Sequence, residues 1–240
     1  MRILELVVAL VVLCPLLLLP AWVARANEQV APTDEPAPAH ERELSPFAEL
    51  SVTAHGAQRL DLATGFTELA DGGVVVDRGS DVRLEAPWIR YLEGATIEAT
   101  DAVVEGLFGQ LLVPELVIDV LKRTLSAEGG VTLNTEVGVV RADEVLYEAE
   151  AGWLLARGGV VSDLPNVEAA GIWYHLPSAR LVLLPPYLYR EGPLTMRADA
   201  DGGPLQLTPD LDEEGTLLGY DATTDLDDDV AARLLSADHE

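Results

Sequence analysis

From about Leu50 to Leu207 apolar and polar residues alternate over short runs, as in Val82-Arg83-Leu84-Glu85-Ala86, Val131-Thr132-Leu133 and Leu205-Gln206-Leu207. A period of two is the mark of a strand with one buried face. Glycine pairs punctuate the runs at Gly72-Gly73, Gly129-Gly130, Gly158-Gly159 and Gly202-Gly203. Glycine within or between strands marks turns, bulges and tight bends. Outside the N-terminal run no window carries a long helical apolar stripe, so the pattern predicts an all-β domain over residues 50–207. A short helix fits Asp225–Leu235, where acids at its start suit the helix dipole.

The alternation also repeats. Leu125-Ser126-Ala127-Glu128-Gly129-Gly130-Val131 matches Leu154-Leu155-Ala156-Arg157-Gly158-Gly159-Val160 at five of seven positions, at an offset of 29. Val140-Arg141-Ala142-Asp143-Glu144-Val145-Leu146-Tyr147 is answered 27 residues on by Val167-Glu168-Ala169-Ala170-Gly171-Ile172-Trp173-Tyr174, with Val, Ala and Tyr in register. A further apolar run opens seven residues after each tyrosine, at Leu154 and at Leu181. The unit is therefore a pair of strands shorter than thirty residues. One such pair has a single apolar face that it cannot bury alone, and neighbouring units bury a continuous interior.

Residues 6–24 contain no charge and would span ~28 Å as a helix, close to the hydrocarbon thickness of a bilayer. Arg2 precedes this run, and Ala24-Arg25-Ala26 follows it as a pattern that a signal peptidase cuts after Ala26. Residues 1–26 thus read as a signal-anchor holding the inner membrane or, alternatively, as a cleaved signal peptide; both readings export the remainder. Residues 27–49 are rich in proline and acid, which favours an extended linker.

Charge sharpens the division. The net charge is −26, made of −4 over residues 1–50, −10 over 51–197 and −12 over the last 43 residues. An acidic chain has the wrong sign for neutralising phosphates, which excludes nucleic acid as a partner. Cys14 is the only cysteine, which excludes a disulfide scaffold. Residues 208–240 read as an acidic, disordered tail, extended by self-repulsion and suited to limiting self-association or docking a basic partner.

Catalytic signatures are missing: HExxH, Walker A, GxSxG and CxxC do not occur, so neither an enzyme nor a cofactor is expected. His40, His55, His175 and His239 are scattered through linker, domain and tail and do not suggest a metal site. Asp143 and Glu144 are adjacent and would point to opposite sides of a strand, which suits a turn or bulge better than acid/base chemistry. Asp210–Asp221 has acids at loop positions 1, 3, 5 and 12 with Gly215 at 6, the EF-hand spacing. Glu214 at position 5, Asp221 at position 12 and the preceding Pro209 speak against calcium, so no metal is expected there.

The stretch Val113–Val160 places Asp119, then Leu125-x-Ala127-x-Gly129-Gly130-Val131-x-Leu133, then Arg141-Ala142-Asp143-x-Val145-x-Tyr147, and returns to Leu154-x-Ala156-x-Gly158-Gly159-Val160. This pattern resembles the OstA-like domain, the family of the periplasmic lipopolysaccharide-transport proteins LptA and LptC, and the anchor followed by one short domain is closest in layout to LptC. The resemblance implies a V-shaped β-jellyroll with an open β-groove, preceded by one transmembrane helix. It implies a non-catalytic role in the periplasm, shielding the acyl chains of an envelope glycolipid. It also implies edge-to-edge pairing with other OstA-like β-jellyroll proteins and coupling to the membrane subunits of an ABC transporter.

On this reading the inward, lipid-binding set is Leu116, Ile118, Leu125, Ala127, Val131, Leu133, Val140, Ala142, Val145, Tyr147, Leu154, Ala156 and Val160. Hiding acyl chains from water is worth ~0.8 kcal/mol per methylene, which an apolar groove supplies. The alternative is a structural envelope domain in which the same residues form a dry core. The net −10 of the domain departs from what a phosphorylated cargo requires, and the positions of Arg78, Arg83, Arg90, Lys122, Arg123, Arg141 and Arg157 bear on that question. Leu181–Leu184 and Leu194–Arg197 are both candidates for the family's C-terminal strand edge.

Overall fold

The computed structural model describes residues 47–237, apart from positions 48, 80–81, 107, 136–137 and 215. The expected membrane segment 6–24 and the linker up to residue 46 lie outside the described residues. Among the described residues no helix is long and apolar enough to cross a membrane.

Alternation becomes strands throughout. Six short ones come first: β1 (Leu50–Ala54), β2 (Gln58–Leu60), β3 (Thr67–Leu69), β4 (Gly73–Asp77), β5 (Arg83–Ala86) and β6 (Trp88–Leu92). Seven long ones follow: β7 (Thr96–Gly106), β8 (Gly109–Asp119), β9 (Thr124–Asn134), β10 (Val139–Glu148), β11 (Trp153–Ser162), β12 (Asn166–His175) and β13 (Arg180–Glu191). The chain ends in β14 (Leu194–Ala198), β15 (Leu205–Leu211), β16 (Leu217–Thr223) and one helix, α1 (Asp228–Ala237). Every pairing is antiparallel, and β7 to β13 form an uninterrupted meander within one open sheet. The sequence repeats are therefore consecutive hairpins, β9–β10 and β11–β12.

A crease crosses the long strands. Between matched pairs β10 and β12 spend a single residue there, Asp143 and Ala170, and β8 spends Val113-Pro114 where β9 spends one residue more, with Val113 continuing the pairing to β7 so that Pro114 is the residue at the bend. Their partners spend two, Gly129-Gly130 on β9, Gly158-Gly159 on β11 and Pro185-Pro186 on β13. Two residues facing one is a β-bulge, which bends the strand and re-aims the side chains beyond it. The glycine pairs sit there because all four have φ between +71° and +94°, where a Cβ is disfavoured. The expectation that Asp143-Glu144 marks a bulge is met.

Because of the bulges the buried positions step by three on β8 (Val113 to Leu116) and by four on β9 (Ala127 to Val131), yet all stay on one face. The crease divides the sheet into two wings that share the long strands. One wing extends through β6 and β3 at one end and β15 and β16 at the other. The second wing extends through β5, β4 and β1 at one end and β14 at the other. The main core lies between them. Tyr147 on the first wing meets Phe108 and Phe47 from the second edge to face, at 5.4 and 6.3 Å between ring centres.

Both ends of the domain differ from expectation. Phe47, expected in the linker, is fully buried, and its N–H donates to Asp77 Oδ2 at 2.6 Å. At the other end residue 207 falls inside β15, which pairs with β13 through Leu205 and Leu207. The expected disordered tail 208–240 instead carries β16 and α1 through residue 237. The helix matches the span that fits Asp225–Leu235. Two of the acids that suggested a solvated tail are paired, Arg180 bridging Asp227 and Asp229, and the helix's own Arg233 pairs with Glu148 of β10 while lying over the Trp173 ring. Val230, with Leu226 and Leu234, packs on Trp153, Leu155, Trp173 and Val182, on the side of the sheet away from the main core. Leu181–Leu184 lies mid-sheet in β13 and is no edge, whereas Leu194–Arg197 lies in β14, paired on one side to β13.

Candidate binding interior

The thirteen inward candidates are gathered on one face. Twelve are buried and Val140 is half-buried. Cross-strand pairing arranges them in transverse rows. On the first wing one row runs Ile118, Leu125, Tyr147, Leu154, and a second runs Leu116, Ala127, Val145, Ala156. On the second wing Leu133 faces Val140, and Val131 faces Ala142. Val160 continues the latter row to Ala169. Adjacent inward residues on antiparallel strands lie close enough for apolar packing, which is why the repeat writes Leu, Ala and Val at fixed spacing.

Over most of its length this interior is filled. The solvent-open groove implied by the resemblance is replaced by direct contact of the two wings, with aromatic rings of Phe47, Phe108 and Tyr147 closing one end. Towards the other end a cavity of about 60 Å³ remains in the fold between the wings. The first wing walls it with Leu154, Ala156, Ile172, Tyr174, Leu183 and Tyr220, and the second with Leu133, Val140, Ser162, Leu164 and Val167. That volume holds about two waters at ~30 Å³ each and is well below the ~300 Å³ at which ligand pockets begin.

Three of the cavity's walls, Leu164, Pro165 and Tyr220, also border a shallow outer groove of about 270 Å³. The groove adds Asp163, Asn166, Arg190 and Glu191. Glu191 ties the region together: it accepts a hydrogen bond from the Tyr189 hydroxyl and another from the Tyr220 backbone N–H at 3.2 Å. Burial pushes the Tyr147, Tyr174 and Tyr220 phenols up from their ordinary value. Burial does the same to Tyr189, reinforced by its hydrogen bond to Glu191. All four hydroxyls thus stay neutral and donating at physiological pH.

The bases do not gather at this mouth. Arg83 pairs with Glu85, Arg90 with Glu98, Lys122 with Asp119, Arg123 with Glu150 and Arg157 with Glu144. These five bases are each paired locally, within a domain where acids outnumber bases 21 to 11 over residues 51–197. Among the described residues no group of His, Cys, Asp and Glu is placed to hold a metal ion, and the EF-hand spacing of residues 210–221 lies on the β15–β16 hairpin.

Sequence reasoning found the rows nearest the repeat and missed Leu164 and Tyr220. Leu164 lies in a turn and Tyr220 beyond the last repeat, where alternation gave no signal. Tyr174 and Leu183 carried one, since both recur in register with the repeat units.

No protein-family model matches the chain, and no curated protein sequence does. Among solved structures the chain is similar to LptH from Pseudomonas aeruginosa, described as the LptA homologous periplasmic component of the conserved lipopolysaccharide transport device. The identity is 13%, the match covers 48% of this chain and 86% of that one, and the TM-score is 0.42.

Proposed function

We propose that this chain is a non-catalytic β-jellyroll of the OstA-like type that binds an envelope glycolipid by its acyl chains and passes it on. On this reading it stands outside the cytoplasmic membrane, tethered by residues 6–24, and works with other β-jellyrolls and with ABC-transporter membrane subunits. The observation that carries the proposal is the single apolar face that gathers the inward set in cross-strand rows between two wings, with Leu133, Val140, Leu154 and Ala156 bordering the space left unfilled there. Partner docking would use the sheet ends: among the described residues β1 is paired only to β4, and it contains no charged residue to discourage a further strand.

The test is photo-crosslinking in cells from p-benzoylphenylalanine placed at Val131 or Tyr147, with Ser126 as the outward control. Lipid adducts from the first two and none from Ser126 are expected. Adducts from none of the three would sink the proposal.

A second reading has its own observation. Twelve of thirteen inward residues are already buried by protein, as in an envelope domain with a dry core and no cargo. Native mass spectrometry of the protein purified from membranes separates the two: a co-purifying lipid mass supports transport, and bare protein supports the structural role.

A further inference from the structure

We infer that β16 is a lid over an entrance to the interior, latched by Glu191, and that this entrance admits a single alkyl chain whose head group is uncharged and hydroxyl-bearing. The inference rests on the proposed lipid-binding role and gives it a place and a chemical class. Cavity and outer groove share Leu164, Pro165 and Tyr220, so an amphiphile threaded past them would leave its tail among the inward rows and its head outside. The rim is apolar and exposed, with Leu164 at 53% and Leu218 at 66% of full exposure, which suits a passing methylene chain.

The head-group side has a readable electrostatic preference. Arg190 is its one cation, and that guanidinium is already engaged by Asn166 at 3.2 Å and by Glu168 at 3.3 Å. Asp163 and Glu191 put two carboxylates in the same groove. A phosphate or carboxylate head would meet net repulsion there, whereas hydroxyls can donate to both acids.

The cavity is too small for a chain as it stands, so a wall has to move. β16 is an edge wall: among the described residues it pairs with β15 alone, the Tyr220 N–H bonds Glu191, and the half-buried Tyr220 and Ala222 side chains lean on the main core. Gly219 permits that bond, because a Cβ there would lie 2.6 Å from Glu191 Oε1. Gly219→Ala therefore displaces the carboxylate while leaving it in the chain.

The experiment uses the full chain, the fluorescent apolar reporter 1-N-phenylnaphthylamine, and dodecyl maltoside as competitor below its micellar concentration. Saturable displacement by dodecyl maltoside is expected, with dodecyl phosphate at least about tenfold weaker. Gly219→Ala is expected to speed association several-fold. Leu164→Glu, at an exposed position where folding is not at stake, is expected to weaken binding about tenfold by putting a charge in the path of the chain. Ala156→Leu, which fills the cavity, is expected to abolish it. Unchanged binding in Leu164→Glu overturns the entrance, even if Ala156→Leu fails to fold, and equal affinity for the two head groups overturns the stated chemistry. If the wild type binds no dodecyl maltoside while Val131 still yields lipid adducts in cells, the entrance alone is wrong. If neither occurs, the lipid-binding role falls with it.

Discussion

Strands β9 and β11 carry the same seven-residue repeat and live in different surroundings. On both, the repeated Leu, Ala and Val face the main core and are buried, and the Gly-Gly pair sits in the crease. The outward positions differ. β9 has Thr124 and Ser126, half-buried and uncovered, where β11 has Trp153 and Leu155, both buried beneath α1. One strand therefore contributes a single face to the interior, and the other is sandwiched. The repeat specifies the inner face and the bend. What covers the outer face is decided by two side chains that the repeat leaves free.

The largest expected effect tests the sandwiched face. Trp173 is 4% exposed, packed edge to face on Trp153 and capped by Arg233, so Trp173→Ala should cost ~3–5 kcal/mol in denaturant unfolding. The matching truncation on the uncovered face, Val117→Ala, should stay within about 0.5 kcal/mol, because Val117 is already 42% exposed. Equal costs would erase the distinction between the two regions.

Removing α1 by ending the chain at residue 225 comes next. It uncovers the two tryptophans and loses the buried Val230, for ~2–3 kcal/mol, a fall in Tm of roughly 5–10 °C, and a red shift in tryptophan emission. An unshifted spectrum would mean that the helix covers nothing in solution.

The crease itself provides a smaller contrast. Gly158→Ala meets both a positive φ and the Asp143 Cβ at 2.5 Å, whereas Gly129→Ala meets a positive φ and the Pro114 Cβ at 3.3 Å. The first should be the more destabilising by about 1–2 kcal/mol, measured by chemical unfolding. The reverse order would place the tighter bend in β9.

The smallest effect is one of pH. His175 lies against Trp153 at 4.6 Å, and burial, together with the nearby Arg180 charge, lowers its pKa, with Asp229 opposing. A histidine whose folded pKa is depressed gives stability that is present above the unfolded value of 6.5 and is lost as pH falls through the folded one. A slight drop in Tm is expected as pH falls through the 6s, absent in His175→Asn. An identical pH profile in that variant would relieve His175 of any part in this face.

Much of this was legible in the residues. Alternation located the strands, and the 29-residue repeat located the hairpins; of the thirteen expected inward positions twelve are buried. The continuous run Leu154-Leu155-Ala156 also signals burial on both faces. Its cover was illegible, because the apolar side chains that pack on the sheet are few, Val230 and Leu234 on α1 with Leu226 just before it, a stripe too sparse to stand out among 13 acids. Charge density suggested a tail, but Arg180 of β13 lies opposite Asp227 and Asp229, and Arg233 of the helix reaches Glu148 of β10, which together let the helix dock. The entrance was hidden for a different reason: Leu164 and Tyr220 belong to elements outside the repeat and meet only because the sheet is creased.

The alternation of one and two residues along the crease has a consequence for ancestry. From β9 to β13 strands that spend two residues alternate with strands that spend one, but β7 and β8 each spend one, Asp101 beside Pro114, and stay in register. A strand of the same kind can therefore sit there without a bulge and keep its inner face: Ala99 and Ala102 on β7 are both buried, as are Val113 and Leu116 on β8. The bulged strands, by contrast, come in whole hairpins, the unit that the repeat of 27 to 29 residues records.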